Sequence, residues 1–463
     1  MLTRRRFIQT GLAAGTAAAL GAGFWRETLA AAPARAAAGP YGALGAPDAN
    51  GLKLPEGFSS RVIARGNLPV AGTNHVRAIF PDGQATYRTP DDGWILVTNS
   101  EVPTGSSGDR PGIPRIEDLA QQLLGSARLG AGAGAIRFRP DGSIASAYRI
   151  LDGTSTNCAG GPTPWGTWLS CEETEDGRVW ECDPTGVRPA IVRPALGRFK
   201  HEAAAVDPAG RRVYLTEDLV DGGFYRFTPD RYPDLGSGVL EIATVARGGS
   251  VSWKRVPDPS GASAATRNQV PGKTDFKRGE GLWFDSGTVY LATTSDGRIH
   301  AYDAATETIE VLYDKKALQD PPIDGVDNIT VSRSGDLFVC EDIGAETLDI
   351  VMITPERTVS RFLTLTGPSA TGLPVVNSEL TGVVFDPSGT RMYFGSQRGF
   401  GFGLTYEVTG PFRAAAAAAG SPADGPIGSG GSGSGNGGGS GEGGEGGASP
   451  GFEEHQRDPN FTG

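Results

Sequence analysis

Acidic residues recur at one place in a repeated pattern along this chain, and bringing an acid to the same point many times gathers oxygen ligands for metal ions. The clearest copies are Glu202, followed by apolar Ala203–Val206, an Asp207-Pro208-Ala209-Gly210 turn and a second strand ending at Glu217-Asp218, and Glu280, followed by Leu282–Asp285 and Val289–Thr294. Asn328 leads in the same way to Leu337 and on to Cys340-Glu341-Asp342, and Glu379 leads through Asp386-Pro387 to Met392–Gly395. Asn157 stands at the equivalent point of an earlier unit that ends at Cys171-Glu172-Glu173. A single such acid would only cap a turn or accept backbone N–H bonds. Carboxylates gathered by a repeat repel one another and resist ionisation unless cations sit among them.

The elements that position these residues are short strands. Each copy has an apolar run, a Gly/Asp/Pro turn, a second run ending in polar residues, and then a third such as Gly223–Phe227, Arg298–Tyr302 or Gly403–Glu407. Two looser copies, Trp94–Asn99 with Ala135–Phe138 and Trp165–Cys171 with Arg178–Glu181, bring the units to six. A period of about fifty residues is close to the length of a propeller blade. The pattern predicts an all-β fold, a six-bladed β-propeller over residues 39–413, with a β-sandwich or a pair of barrels as the alternative. Of 463 residues, 38% are hydrophobic and 70 are glycine, which suits many strands and tight turns better than helix bundles. In a propeller the inner strands point their ends at a central channel, so the ring expected there is Asn157, Glu202, Glu280, Asn328 and Glu379.

The chain's two ends read differently from its middle. Thr3-Arg4-Arg5-Arg6-Phe7, the small apolar run Gly11–Gly23 and Ala34-Arg35-Ala36 form a twin-arginine leader over residues 1–38. This predicts the twin-arginine export machinery as a partner and a periplasmic, extracellular or cell-surface destination. Residues 414–463 turn alanine-rich and then Gly/Ser-rich, a composition that cannot bury a core, and predict a disordered tail. The formal charge is −11, and cleavage near Ala38 would remove five arginines and one glutamate to leave −15. Such a field argues against nucleic acid or anionic membrane surfaces and favours cations. No apolar stretch after the leader spans a bilayer, and the mature chain is expected as a monomer.

The four cysteines, Cys158, Cys171, Cys182 and Cys340, lie far beyond CxxC spacing, which argues against a zinc knuckle. Export permits disulfides, and this reading stands level with a metal-ligand role for one of them. The stretch Asn157-Cys158-Ala159-Gly160-Gly161-Pro162-Thr163-Pro164-Trp165-Gly166-Thr167-Trp168-Leu169-Ser170-Cys171-Glu172-Glu173 closely resembles a passage of the PhoX family of bacterial alkaline phosphatases. The resemblance continues through Gly197–Glu202, Val213–Asp218, Arg278-Gly279-Glu280, Asp327-Asn328, Cys340–Asp342 and Glu379–Gly382, over roughly residues 40–410. It implies a propeller holding iron and calcium ions that hydrolyses phosphate esters. By the same resemblance Cys171 is the thiolate iron ligand, Glu202 and Glu280 are iron-binding carboxylates, and Glu101, Glu172, Glu173 and Asp342 are calcium ligands. Arg278, with Lys200 and Asn157, would hold the phosphate, and Arg278, Glu280 and Cys171 would make up the catalytic set. Asn99-Ser100-Glu101, Lys200-His201-Glu202 and Gln397-Arg398-Gly399 depart from the family's wording beside these positions.

The chemistry is coherent by itself, since a thiolate beside carboxylates suits a transition metal and oxygens alone suit calcium. Two other classes compete: a calcium-dependent lactonase or phytase-like propeller hydrolase, and a non-catalytic calcium-stabilised binding propeller. The first has no need of a thiolate or of Arg278. The second leaves Glu172-Glu173, Glu202 and Glu280 unexplained. A serine hydrolase is disfavoured, because no G-x-S-x-G elbow is present and the four histidines lack an evident triad partner.

Overall fold

Inner strands rich in small residues and middle strands rich in Val, Leu, Tyr and Phe build a ring of sheets. The computed structural model describes residues 32–103, 130–371 and 378–414, so residues 1–31 of the predicted leader and nearly all of the predicted tail lie outside the described residues. The described strands form six sheets of four to six strands. Blades one to six start with inner strands Pro81–Arg88, Asn157–Pro162, His201–Asp207, Gly279–Asp285, Val326–Val331 and Leu380–Phe385. Each inner strand packs on the next and the sixth packs on the first, which closes a six-bladed β-propeller as expected. The ring is sealed across its ends: Ser59–Arg65 supplies the outer strand of blade six, antiparallel to Leu404–Thr409.

Second strands such as Thr288–Thr293 and Arg391–Ser396 are almost wholly buried, because each is covered by a neighbouring blade on both faces. Tyr214 and Phe224 of blade three meet Tyr302 of blade four edge-on, with ring centroids 5.7 and 5.9 Å apart. The turn chemistry follows the sequence: Asp386 Oδ1 accepts from the backbone N–H groups of Thr390 and Arg391 at 2.9 and 2.8 Å, and Gly389 takes φ 73°. No helix among the described residues is long and apolar enough to cross a membrane.

Residues 32–38, counted with the leader in the sequence, lie along blade five. Arg35–Ala36 pairs in parallel with Thr358 and Val359, and Ala34 is buried in the core between blades four and five.

One irregularity recurs in all six blades. The register between inner and second strand slips between Pro81 and Gln84, Asn157 and Gly160, His201 and Ala204, Gly279 and Leu282, Val326 and Ile329, and Thr381 and Val384. Each slip is a β-bulge at the channel end of the inner strand, and a bulge re-aims the side chain it carries. The bulge also lets adjacent backbones converge: a Cβ on Gly83 would lie 2.6 Å from Ala159 Cα, and one on Gly281 would lie 2.5 Å from Asp327 O.

Candidate metal centre

The bulges decide which side chains meet. The first bulged residues are Asp82, Cys158, Glu202, Glu280 and Asp327 in blades one to five, with Gly382 at the matching register position of blade six. A second tier comes from the ends of the second strands and the residues after them: Glu101, Glu173, Asp218, Asp342 and Gln397-Arg398. Among the described residues these tiers produce three linked groups whose ligand atoms lie within 4.8 Å of one another: Asp82, Glu101 and Cys158; Cys158, Glu173 and Glu202; and Glu202, Glu280 and Asp327. Cys158 and Glu202 each belong to two groups, so the three form one continuous run of donors.

This run is charged and short of donors. Both carboxylate oxygens of Glu202 and Oδ1 of Asp82 are buried without a hydrogen-bond partner among the described residues. Leaving a buried acceptor unsatisfied costs about 1–3 kcal/mol, and more if it is ionised. Burial first, then neighbouring carboxylates, pushes Asp82, Glu173, Glu202, Glu280 and Asp327 well above the usual carboxylate range. Glu101 is pushed up to about 8 by burial against the opposing charge of Arg398, and Asp342 to about 8 by Glu379 and then burial. Burial, Asp82 and Glu202 push the Cys158 thiol up as well, so without a cation beside it the sulfur keeps its proton. The donor set fits metal ions, which would satisfy the orphaned oxygens and neutralise the repulsion.

Three basic residues border the run. Lys200 Nζ bridges Glu173 Oε1 at 2.7 Å and Asp218 Oδ2 at 2.9 Å. Arg278 donates from Nε to Asp218 Oδ1 at 2.7 Å, and its Nη2 stands 2.9 Å from Glu280 Oε1 as an ion pair without hydrogen-bond alignment. Burial alone would raise Asp218, but hydrogen bonds with Glu173 and Arg278 and the charges of Lys200 and Arg278 hold it below its ordinary value. Arg398 Nη1 donates to Glu379 Oε1 at 2.9 Å, and Gln397 Nε2 donates to Asp82 Oδ2 at 2.6 Å and Glu101 Oε2 at 2.8 Å.

Of the residues expected from sequence, Glu101, Glu173, Glu202 and Glu280 enter the groups. Glu379 and Asp342 lie beside them as neighbours in charge. Others do not enter. Cys171 faces the core between blades two and three with Leu169, Val179 and Leu196, because alternation along Trp168–Glu172 sends its side chain away from the channel. The cysteine brought among the acids is Cys158, not Cys171. Glu172 caps its own turn, accepting from Ser155 N at 3.1 Å and Arg178 N at 3.2 Å. Asn157 spends its side chain on Ser170 and Thr154, and Asn328 on Asp327 and the backbone of Gly382, so both tie strands together. Asp82, Cys158 and Asp327 are the donors missed by sequence. A signal existed, since Asp82-Gly83 and Glu280-Gly281 are the same acid–glycine pair at the same bulge.

The PhoX alkaline phosphatase family model matches residues 115–311 and 303–399. The chain belongs to the PhoX family of alkaline phosphatases. It is therefore a phosphoric ester hydrolase acting on small phosphate esters, and PhoX membership implies metal dependence. The match takes in Cys158, Glu173, Glu202, Glu280 and Asp327, while Asp82 and Glu101 precede it. No curated protein matches the chain. Among solved structures, a gluconolactonase from Xanthomonas campestris aligns at 13% identity and TM-score 0.42, covering 81% of this chain and 99% of that one. A structural-genomics protein from Bacteroides thetaiotaomicron aligns at 10% identity and TM-score 0.44, covering 76% of each.

Proposed function

We propose that this PhoX protein is exported and hydrolyses phosphate esters at a mixed centre of iron and calcium in the propeller channel. The observation that carries the reading is the continuous donor run shared through Cys158 and Glu202, with buried oxygens that no described residue satisfies. A thiolate with carboxylates selects a transition metal, which assigns Cys158, Glu173, Glu202 and Glu280 to iron. Carboxylates without sulfur suit calcium, which assigns Asp82, Glu101 and Asp327, with Asp342 and Glu379 in support. Bound there, the metals supply positive charge against the phosphoryl oxygens.

The protein's own part is to orient the phosphate. Arg278 takes φ 54°, in the left-handed region, and its backbone is held by bonds from its N–H to Leu219 O at 2.8 Å and from Thr294 N–H to its carbonyl at 3.0 Å. Asp218 fixes one edge of the guanidinium, while the side chain remains 37% exposed and Nη1 makes no hydrogen bond among the described residues. The free edge is a preset fork for a phosphate. Lys200, pinned between Glu173 and Asp218, adds a second positive charge beside Asp218.

Arg278→Lys keeps the charge and loses the fork, and should lower kcat/KM for a phosphate monoester by about ten- to a hundredfold with metal content near normal. Steady-state kinetics with elemental analysis checks this. Unchanged kinetics would remove Arg278 from the substrate site. Export is also part of the reading, with the leader cut upstream of Ala34, because a cut at Ala38 would strip blade five of the paired Arg35–Ala36 strand and open the core beneath Ala34.

A further inference from the structure

The channel end of the interface between blades one and six has a polar lining that the metal centre does not use. Thr98 pairs with Gln84 on one side and Gly134 on the other, and Gly134 pairs with Arg149. Residues directly opposite in a ladder share a face, so Gln84, Thr98, Gly134 and Arg149 form one row, and Ser100 opposite Gly132 begins the next. The same face lower down is apolar, with Trp94, Leu96, Ile136 and Phe138 packed on Tyr393 of blade six. At the channel end the packing gives way to glycine, and guanidinium groups take the space: Arg77 Nη1 lies 3.2 Å from where a Cβ of Gly134 would be, and Arg149 Nη2 lies 2.9 Å from that of Gly132.

The polar atoms here lack partners to an unusual degree. Arg77 is 4% exposed. Its Nε and Nη2, both side-chain heteroatoms of Gln84, Thr98 Oγ1 and Ser100 Oγ are all buried without a hydrogen-bond partner among the described residues. No ion pair to Arg77 is formed among the described residues, and its charged neighbour is Arg149, which spends its own donors on the carbonyls of Leu151, Gly130 and Ala131. Asp152 offsets Arg149 in part, and half-exposed His75 feels both arginines. A buried cation with no counter-charge is strongly disfavoured. Water would satisfy the hydroxyls and the amide but would not neutralise the guanidinium.

We propose that Arg77, with Gln84, Thr98, Ser100 and the glycine floor of Gly132 and Gly134, binds a small inorganic oxyanion of the phosphate class at a site separate from the metal centre. The guanidinium supplies charge and N–H donors, the two hydroxyls and the amide complete the shell, and Arg149 with His75 forms the open rim. The anion source is either free phosphate or a second phosphate group on a larger molecule.

Calorimetric titration of the metal-loaded full chain with inorganic phosphate tests the site. Two classes of binding are expected. Arg77→Met should weaken one by about tenfold or more, the cost of losing charged hydrogen bonds, with metal content and monoester hydrolysis unchanged. Arg278→Lys should weaken the other, so failure of the metal-centre reading and failure of this one are distinguishable. A KM for a bisphosphorylated substrate that rises in Arg77→Met, against an unchanged monoester KM, assigns the site to a substrate phosphate; loss of the isotherm alone assigns it to free phosphate. An isotherm identical to wild type in Arg77→Met, or stabilisation by chloride and not by phosphate, would overturn the proposal. If Arg77→Met does not fold, Arg77→Lys decides, since loss of the fork should still weaken the site and unchanged binding would contradict it.

Discussion

Cys158→Ser is expected to strip transition metal from the protein and to cut phosphate-ester turnover by more than about a hundredfold, since even partners that merely orient ligands are worth 10–100-fold. Cys158 is shared by two of the three donor groups, so its loss disrupts both. A serine hydroxyl is a far weaker ligand for iron than a thiolate. Cys171→Ser should behave in the opposite way. Its side chain sits in a fully buried apolar core, so a hydroxyl there costs stability, about 1–3 kcal/mol, without changing metal stoichiometry. None of the four cysteines is in a disulfide, so thiol counting on the unfolded chain should recover all four. Metal analysis of the two variants side by side checks the assignment: metal lost from Cys171→Ser and retained by Cys158→Ser would reverse it.

Removing the metals should make stability fall as pH rises, a trend absent from the loaded protein. Glu101 and Asp342 are held at about 8, and Asp82, Glu173, Glu202, Glu280 and Asp327 are also raised. A carboxyl whose folded pKa exceeds its unfolded value binds more protons when folded. Its stabilising contribution is complete below about 4.5 and is lost as pH climbs through the folded pKa, at up to about 1.4 kcal/mol per unit for each group. Buried His201 and His300 act in the other direction: burial lowers them to about 3 and about 4, so each costs stability as pH falls below about 6.5. They do so in both forms, and the difference between forms isolates the carboxylates. Thermal unfolding of chelator-stripped and metal-loaded protein from pH 5 to 8 should show the stripped curve dropping away by several kcal/mol. Parallel curves would mean that these acids do not face metal.

Much of the fold was legible because its signals are local. Asp-Pro-x-Gly turns and runs such as Val213–Leu215 and Val289–Leu291 mark strand pairs whatever their partners. What escaped was non-local or one residue fine. Ser59–Arg65 closes blade six across more than three hundred residues of chain, a pairing no local pattern announces. The inner strands Pro81–Arg88 and Asn157–Pro162 are short of β-branched and apolar residues, so the first two blades were counted from their second strands and Asp82 went unseen. The bulges did the rest. Aligning repeats on their apolar runs selected Asn157 and Asn328, whereas the extra residue in each inner strand presents Cys158 and Asp327 instead. The carboxylates Glu202 and Glu280 were found because the apolar runs that follow them are strong enough to fix their register.

In the proposed reading the channel donors hold the metals on which hydrolysis depends. The most direct test follows element content and phosphate-ester hydrolysis in one preparation of natively exported protein as a chelator removes its metals. Iron together with calcium should be present at the start, activity should fall in step with their loss, and returning both should restore it. Zinc as the sole transition metal, or hydrolysis that persists at full rate in the stripped protein, would contradict it.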